Sequence, residues 1–178
     1  GLKVAIVQFM KGGEYTGEFK AAKNFFPASQ FSFVQFGKGC VKESLQLKLN
    51  GSEKNVCKKG DFIRDVKACG DCRWCFTYEQ ELEKEQVREG IKHAKQILGS
   101  GEWDLVILDE INCAASQGIV PVSAVVELVK KKPKNIELVL TGRNAPEELL
   151  EIADLITEMR EIKHPWKKGI SARKGIEY

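Results

Sequence analysis

Seven residues constrain this chain more than any others: Asp104-Leu105-Val106-Ile107-Leu108-Asp109-Glu110. Four apolar residues in a row, bounded by acids, predict a strand buried on both faces, the pattern of a parallel sheet. Two carboxylates then stand at the strand's C-terminal end, where open α/β sheets bind ligands. Oxygen donors of this kind suit Mg²⁺, a hard cation that keeps most of its waters. The stretch points to a nucleotide-phosphate site. Its plainer alternative is a buried strand followed by an acidic helix cap.

Around this strand the chain alternates between two periods. Lys3 to Phe9, Phe31 to Phe36, Ile136 to Leu140 and Leu155 to Met159 predict further strands beside Asp104 to Leu108. From Glu79 to Leu98, the residues Val87, Ile91, Ala94 and Leu98 recur at helical spacing, with Gly99 and Gly101 as stops. A second helix is expected from Pro121 to just before Pro133, with Val122, Val125, Val126 and Val129 on one face. A third runs from Pro146 to Ile152, with Asn144 as its cap and Glu147 completing the capping pattern. Strands alternating with helices imply a parallel sheet joined by right-handed crossovers. The expected class is α/β: one domain over residues 1–178, a three-layer sheet flanked by helices.

The composition narrows the class further. A chain of 178 residues can bury a substantial core, and 43% hydrophobic with 30% charged residues suits a soluble globular protein. A net charge of +3 makes no case for a nucleic-acid partner. The Lys130-Lys131-Lys132-Pro133-Lys134 run reads as a helix C-terminus, where cations complement the dipole. No apolar run approaches the roughly 20 residues of a membrane span, and no signal peptide is visible. Six cysteines without a secretory signal suggest a reducing, cytoplasmic setting.

One segment does not fit. Residues 37–75 lack periodicity, and five of the six cysteines fall there. A structureless loop of that length needs something to hold it together. Cys69, Cys72 and Cys75 form C-x₂-C-x₂-C, and Cys57 lies upstream, so the segment is expected to be a metal-binding insertion. A tetrahedral Zn²⁺ site and an iron–sulfur cluster are both compatible with the spacing, and Cys40 is an alternative to Cys57 as fourth ligand. Cys113 is expected to be a small buried residue.

Four segments together carry a family likeness: VQFMKGGEYTGE at 7–18, DLVILDEINCA at 104–114, LTGRNAPEELLEIADLITEMREIKH at 140–164 and KGISARKGIEY at 168–178. In this order and spacing the chain resembles the P-loop type of ATP:corrinoid adenosyltransferases. The resemblance implies a P-loop NTPase-like fold and transfer of the 5′-deoxyadenosyl group from ATP to Co(I) of a corrinoid, releasing triphosphate. It implies Mg²⁺, a reductase or flavoprotein electron donor, and a homodimer as a further expectation.

The resemblance also assigns roles. Lys11 and Glu18 correspond to a lysine and a glutamate that approach the nucleotide or corrinoid. Asp109 and Glu110 correspond to the acidic pair of the magnesium site. Thr141, Gly142 and Arg143 leave the next strand at its ligand-facing end, and the Arg143 fork suits phosphate. Asp109, Glu110 and Arg143 are thus the catalytic candidates. Cys75-Phe76-Thr77-Tyr78-Glu79 aligns with the G-F-T-W-E segment that packs aromatic rings against the lower face of the corrin, which makes Phe76 and Tyr78 the corrinoid candidates. Tyrosine in place of tryptophan offers a smaller face and adds a hydroxyl.

The family's phosphate loop, G-x-x-x-x-G-K-[ST], appears nowhere in these residues, and a strand pattern begins within two residues of Gly1. The expectation is a chain missing the N-terminal strand and phosphate loop, which taken literally would bind ATP poorly. Two other readings stand beside the enzyme: a metal-stapled nucleotide- or corrinoid-binding module without catalysis, and a thymidine-kinase-like P-loop kinase.

Overall fold

Aliphatic and aromatic residues at alternating positions form the first strand, β1 (Val4–Phe9), in which Ala5, Val7 and Phe9 are fully buried. The computed structural model describes residues 1–11, 17–37 and 80–170. After β1 come α1 (Gly17–Phe25), β2 (Phe31–Phe36), α2 (Gln80–Ser100), β3 (Leu105–Asp109) and α3 (Ile111–Ser116). Then follow α4 (Val122–Lys131), β4 (Glu137–Leu140), α5 (Glu147–Leu150) and a 3₁₀ turn at Pro165–Lys168. The four strands form one sheet in the order β2-β1-β3-β4, every pair parallel. This is the expected α/β class, a parallel sheet with flanking helices into which a P-loop-like fold fits. The expected insertion over 37–75 lies almost wholly outside the described residues.

The core forms where helical stripes meet the sheet. Val87, Ile91, Ala94 and Leu98 of α2 are buried together with Val106 and Leu108 of β3, as their spacing requires. The α2 helix runs to Ser100, past Gly99, and its end is tied by the Ser100 hydroxyl donating to the Ile97 carbonyl at 2.9 Å. In α4, Val125 and Leu128 are buried while Val122 and Val126 are partly covered, and Pro121 is the cap residue. Its basic end is as expected: Lys131 pairs with Glu127 at 2.7 Å, and Lys132 Nζ donates to the Ile136 carbonyl at 2.9 Å.

Three expectations are corrected. Leu155 to Met159 is not a strand: Leu155 and Met159 are 85% and 95% exposed. An apolar run makes a strand only against a neighbour that takes its backbone groups, and no described strand pairs with this segment. The third helix is short, Glu147–Leu150, and its cap residue is Pro146 rather than Asn144. Asn144 has a left-handed φ of 56° and belongs to the loop instead. Two helices escaped the periodicity altogether. α1 spans nine residues and buries only Ala22, and α3 is a six-residue helix buried at five positions, so neither offers a long apolar stripe like that of α2.

Candidate functional site

In a parallel sheet all strands present their C-terminal ends to one edge, so residues distant in sequence converge there. The register sets Gln8 beside Gln35 on β2 and beside Asp109 on β3. One position past the Leu108–Leu140 pair, Thr141 comes beside Asp109. These four polar side chains are hydrogen-bonded in a row across the sheet. Gln35 Nε2 donates to Gln8 Oε1 at 2.6 Å, and Gln8 Nε2 donates to Asp109 Oδ2 at 2.7 Å. From the other side, the Thr141 hydroxyl donates to Asp109 Oδ1 at 2.6 Å. Gln8 is 1% exposed, so its amide must find partners within the protein.

Thr141 also works in the opposite sense, its Oγ1 accepting from the Glu110 backbone N–H at 3.1 Å. Its hydroxyl is thereby committed to bracing the acidic pair. Glu110 itself has φ 63° and ψ 13°, left-handed backbone at the turn from β3 into α3. It is the N-cap of α3 but makes no side-chain cap bond. Met10, just after β1, is left-handed as well, with φ 60°. Non-glycine residues hold this conformation only where the surroundings impose it, and such positions concentrate at functional sites.

Two glycines allow the strand ends to crowd together. Gly142 has φ +125°, and a Cβ there would come within 2.9 Å of the Cys113 backbone nitrogen. A Cβ on Gly37 would lie 2.4 Å from the Lys11 nitrogen. The Thr141 carbonyl accepts from the Asn112 N–H at 3.1 Å, which ties the β4 loop to α3. The buried Asn112 Oδ1 has no hydrogen-bond partner among the described residues. Cys113 is buried as expected, its sulfur accepting from Gln117 Nε2 at 3.1 Å.

The start of α1 reaches the same edge. Glu18 Oε1 lies 3.3 Å from Gln8 Nε2 and 3.4 Å from Lys11 Nζ. Burial alone would raise the Glu18 carboxyl. Its own backbone N–H, the Gln8 amide and the Lys11 ammonium outweigh that and hold it below the usual glutamate value. Lys11, Glu18, Asp109, the Glu110 backbone and Thr141 are therefore joined in one hydrogen-bonded group, with Gly142 and the exposed Arg143 next along the β4 loop. Phe76, Tyr78, Cys57, Cys69, Cys72 and Cys75 lie outside the described residues.

Reading for acids, lysines and arginines missed Gln8 and Gln35. A signal was present: the tripeptide Val-Gln-Phe occurs twice, at 7–9 and 34–36, each time closing a strand. A glutamine one residue before the end of a buried apolar strand needs a polar partner beside it.

The donor set is all oxygen apart from Lys11 and the two amides. Among the described residues each Asp109 oxygen accepts one hydrogen bond, and each has capacity for a second partner. Among the described residues no group of three or more His, Cys, Asp or Glu side chains could hold a metal ion. That excludes a dedicated protein cage from them. One or two carboxylates supplemented by substrate phosphates, the usual arrangement for Mg²⁺, fit the residues present.

A family model described as ATP:corrinoid adenosyltransferase BtuR/CobO/CobP matches residues 45–178. The chain belongs to this family. A corrinoid adenosyltransferase of Sinorhizobium sp is 35% identical over 179 residues, spanning 100% of this chain and 68% of the relative. Another, from Pseudomonas aeruginosa, is 32% identical across 100% of this chain and 70% of its own length. The corrinoid adenosyltransferase CobA of Salmonella typhimurium is 30% identical, with 93% of this chain and 80% of the relative covered. The family's activity is adenosyl transfer rather than phosphoryl transfer, so the kinase reading is set aside. No described helix is long and apolar enough to cross a membrane.

Proposed function

We infer that this member of the ATP:corrinoid adenosyltransferase family transfers the 5′-deoxyadenosyl group of ATP to the cobalt of a reduced corrinoid in cobalamin metabolism. The Co(I) electron pair attacks C5′ of ATP, the C5′–O bond breaks, and triphosphate leaves with that bond's electrons. What supports this reading is a single convergence. Residues from three of the four family-like segments, Lys11 and Glu18, Asp109, and Thr141, are tied together at the ligand-binding edge of the sheet.

The chain's own tasks follow from that placement. Asp109 and Glu110 would hold Mg²⁺, which when bound helps to neutralise the leaving triphosphate. Lys11 and Arg143 supply positive charge to the phosphates, and Gly142 lets the backbone approach them closely. Glu18, kept ionised, is an acceptor for a ribose hydroxyl. Thr141 serves the nucleotide through Asp109 and Glu110. Phe76 and Tyr78 cover the lower face of the corrin, displacing the axial base so that the cobalt is more readily reduced.

The C-x₂-C-x₂-C spacing supports a metal at Cys57, Cys69, Cys72 and Cys75, and elemental analysis of the purified protein separates zinc from iron. The proposed setting is the cytoplasm, with an external reductase or flavoprotein as electron donor and a homodimer as the assembly. The deciding experiment is an anaerobic assay with chemically reduced cobalamin, ATP and Mg²⁺ on the full natural chain. Loss of Co(I) absorbance with a light-sensitive cobalt–carbon product and free triphosphate is expected. A folded protein that binds corrinoid or ATP yet forms no product would favour the binding-module reading.

A further inference from the structure

We propose that Gln8 is a positioning residue that acts through Asp109, and that Gln35 fixes the direction of the Gln8 amide. The proposal rests on the functional reading above.

An amide has two unlike ends. Gln35 Nε2 donates to Gln8 Oε1 at 2.6 Å, so the Gln8 oxygen faces β2 and its NH₂ faces the acids. The opposite orientation would set the Gln8 oxygen against the carboxylates of Asp109 and Glu18 and its NH₂ against that of Gln35. With the amide fixed, its nitrogen serves Asp109 Oδ2 at 2.7 Å and Glu18 Oε1 at 3.3 Å. One buried side chain thus ties a carboxylate on β3 to another at the start of α1. Thr141 holds the second Asp109 oxygen at 2.6 Å, so the carboxylate is gripped on both sides and cannot rotate freely.

The choice of glutamine has a chemical reason. A lysine or arginine at position 8 would satisfy Asp109 equally well but would cancel its charge. Neutral donors orient a carboxylate and leave its negative charge for a cation. An apolar residue would suit a fully buried position on a central strand but would leave Asp109 held from one side only. Hydrogen bonds in such a row polarise one another, so removing the middle member affects both ends.

The test compares wild type, Gln8→Leu, Gln35→Leu and the double variant, each measured for thermal stability, Mg²⁺ dependence of ATP binding and adenosyl transfer. Gln8→Leu should raise the half-saturating Mg²⁺ concentration for ATP binding by about tenfold, the scale of losing a support to a metal ligand. It should lower kcat and leave the KM for corrinoid unchanged. Gln35→Leu should have a smaller effect on the Mg²⁺ dependence that disappears in the Gln8→Leu background, because that effect passes through the Gln8 amide. Gln8→Glu, folded and with the same reach, should be at least as impaired as Gln8→Leu. Unchanged Mg²⁺ dependence in folded Gln8→Leu overturns the proposal, as does a Gln35→Leu effect that persists undiminished in the double variant. The full natural wild-type chain showing no adenosyl transfer overturns the functional reading instead, and the Mg²⁺ dependence of ATP binding then decides the role of Gln8.

Discussion

Thr141 and Asp109, 32 residues apart in sequence, are joined by a 2.6 Å hydrogen bond in which the hydroxyl donates to Oδ1. Thr141 Oγ1 in turn accepts the Glu110 N–H, so one side chain just past β4 fixes both members of the acidic pair at the end of β3. Thr141→Val keeps the shape and removes both bonds. Each partly buried group left without a partner costs about 1–3 kcal/mol. We expect a lower melting temperature and a loss of adenosyl transfer of about tenfold or more, since a small displacement of a positioned group is costly. Thr141→Ser keeps the hydroxyl and should restore most of both. A valine variant as stable and active as wild type would remove Thr141 from the site.

The loop after Thr141 depends on a residue without a side chain. Gly142 combines φ +125° with a space in which a Cβ would meet the Cys113 nitrogen at 2.9 Å and the Asn112 Cβ at 3.2 Å. Neither neighbour can move away easily, because Asn112 and Cys113 are buried in α3. Gly142→Ala should destabilise by about 1–3 kcal/mol. At this chain length that lowers Tm by roughly 2–4 °C per kcal/mol. Arg143 would shift with the loop, so weaker ATP binding should accompany the loss. An alanine variant with unchanged Tm would show that the loop tolerates a Cβ.

Much of this arrangement was legible in the sequence, for a physical reason. The run from Leu105 to Leu108 could be a buried strand because every side chain is apolar, and Asp109 had to follow it at the sheet's edge. The stripe of Val87, Ile91, Ala94 and Leu98 likewise required a helix against an apolar face. Register was not legible. Whether Gln8 meets Asp109 or misses it depends on the alignment of two strands about 100 residues apart, and a shift of one residue reverses every side chain. Leu155 to Met159 failed for a related reason, since its apolar residues suit a strand only beside a partner and the described sheet offers it none. The left-handed turns at Met10 and Glu110 were also hidden, because tertiary contacts impose them on residues that do not prefer them.

Glu110 allows the cost of such a turn to be separated from its use. At φ 63° an L residue is disfavoured by about 1–2 kcal/mol, a penalty that glycine does not carry. Glycine adds unfolded-state freedom that offsets part of the gain. Glu110→Gly should therefore leave stability unchanged or raise it by up to about 1 kcal/mol, while adenosyl transfer and Mg²⁺-dependent ATP binding fall. A large loss of stability would instead assign the Glu110 side chain a structural role.

Acid should expose the contribution of Glu18. Burial pushes its carboxyl up, but its own N–H, the Gln8 amide and Lys11 together hold it below the ordinary value of 4.5. A folded-state pKa below the unfolded one stabilises the fold fully at pH values above the unfolded pKa. That stability is lost as pH falls through the folded pKa. Lys11 is 35% exposed and Glu18 46%, so solvent screens their pairing and its worth stays under about 1 kcal/mol. Lys11→Met removes the ammonium and lets the Glu18 pKa rise toward its ordinary value. The variant should be slightly less stable than wild type from neutral pH down to the glutamate range, and the difference should shrink as pH drops below 4.5. Added salt should shrink it as well. Urea midpoints across this range, with direct NMR titration of Glu18, measure both effects. A difference that grows on acidification would mean that Lys11 stabilises the fold through something other than ionised Glu18.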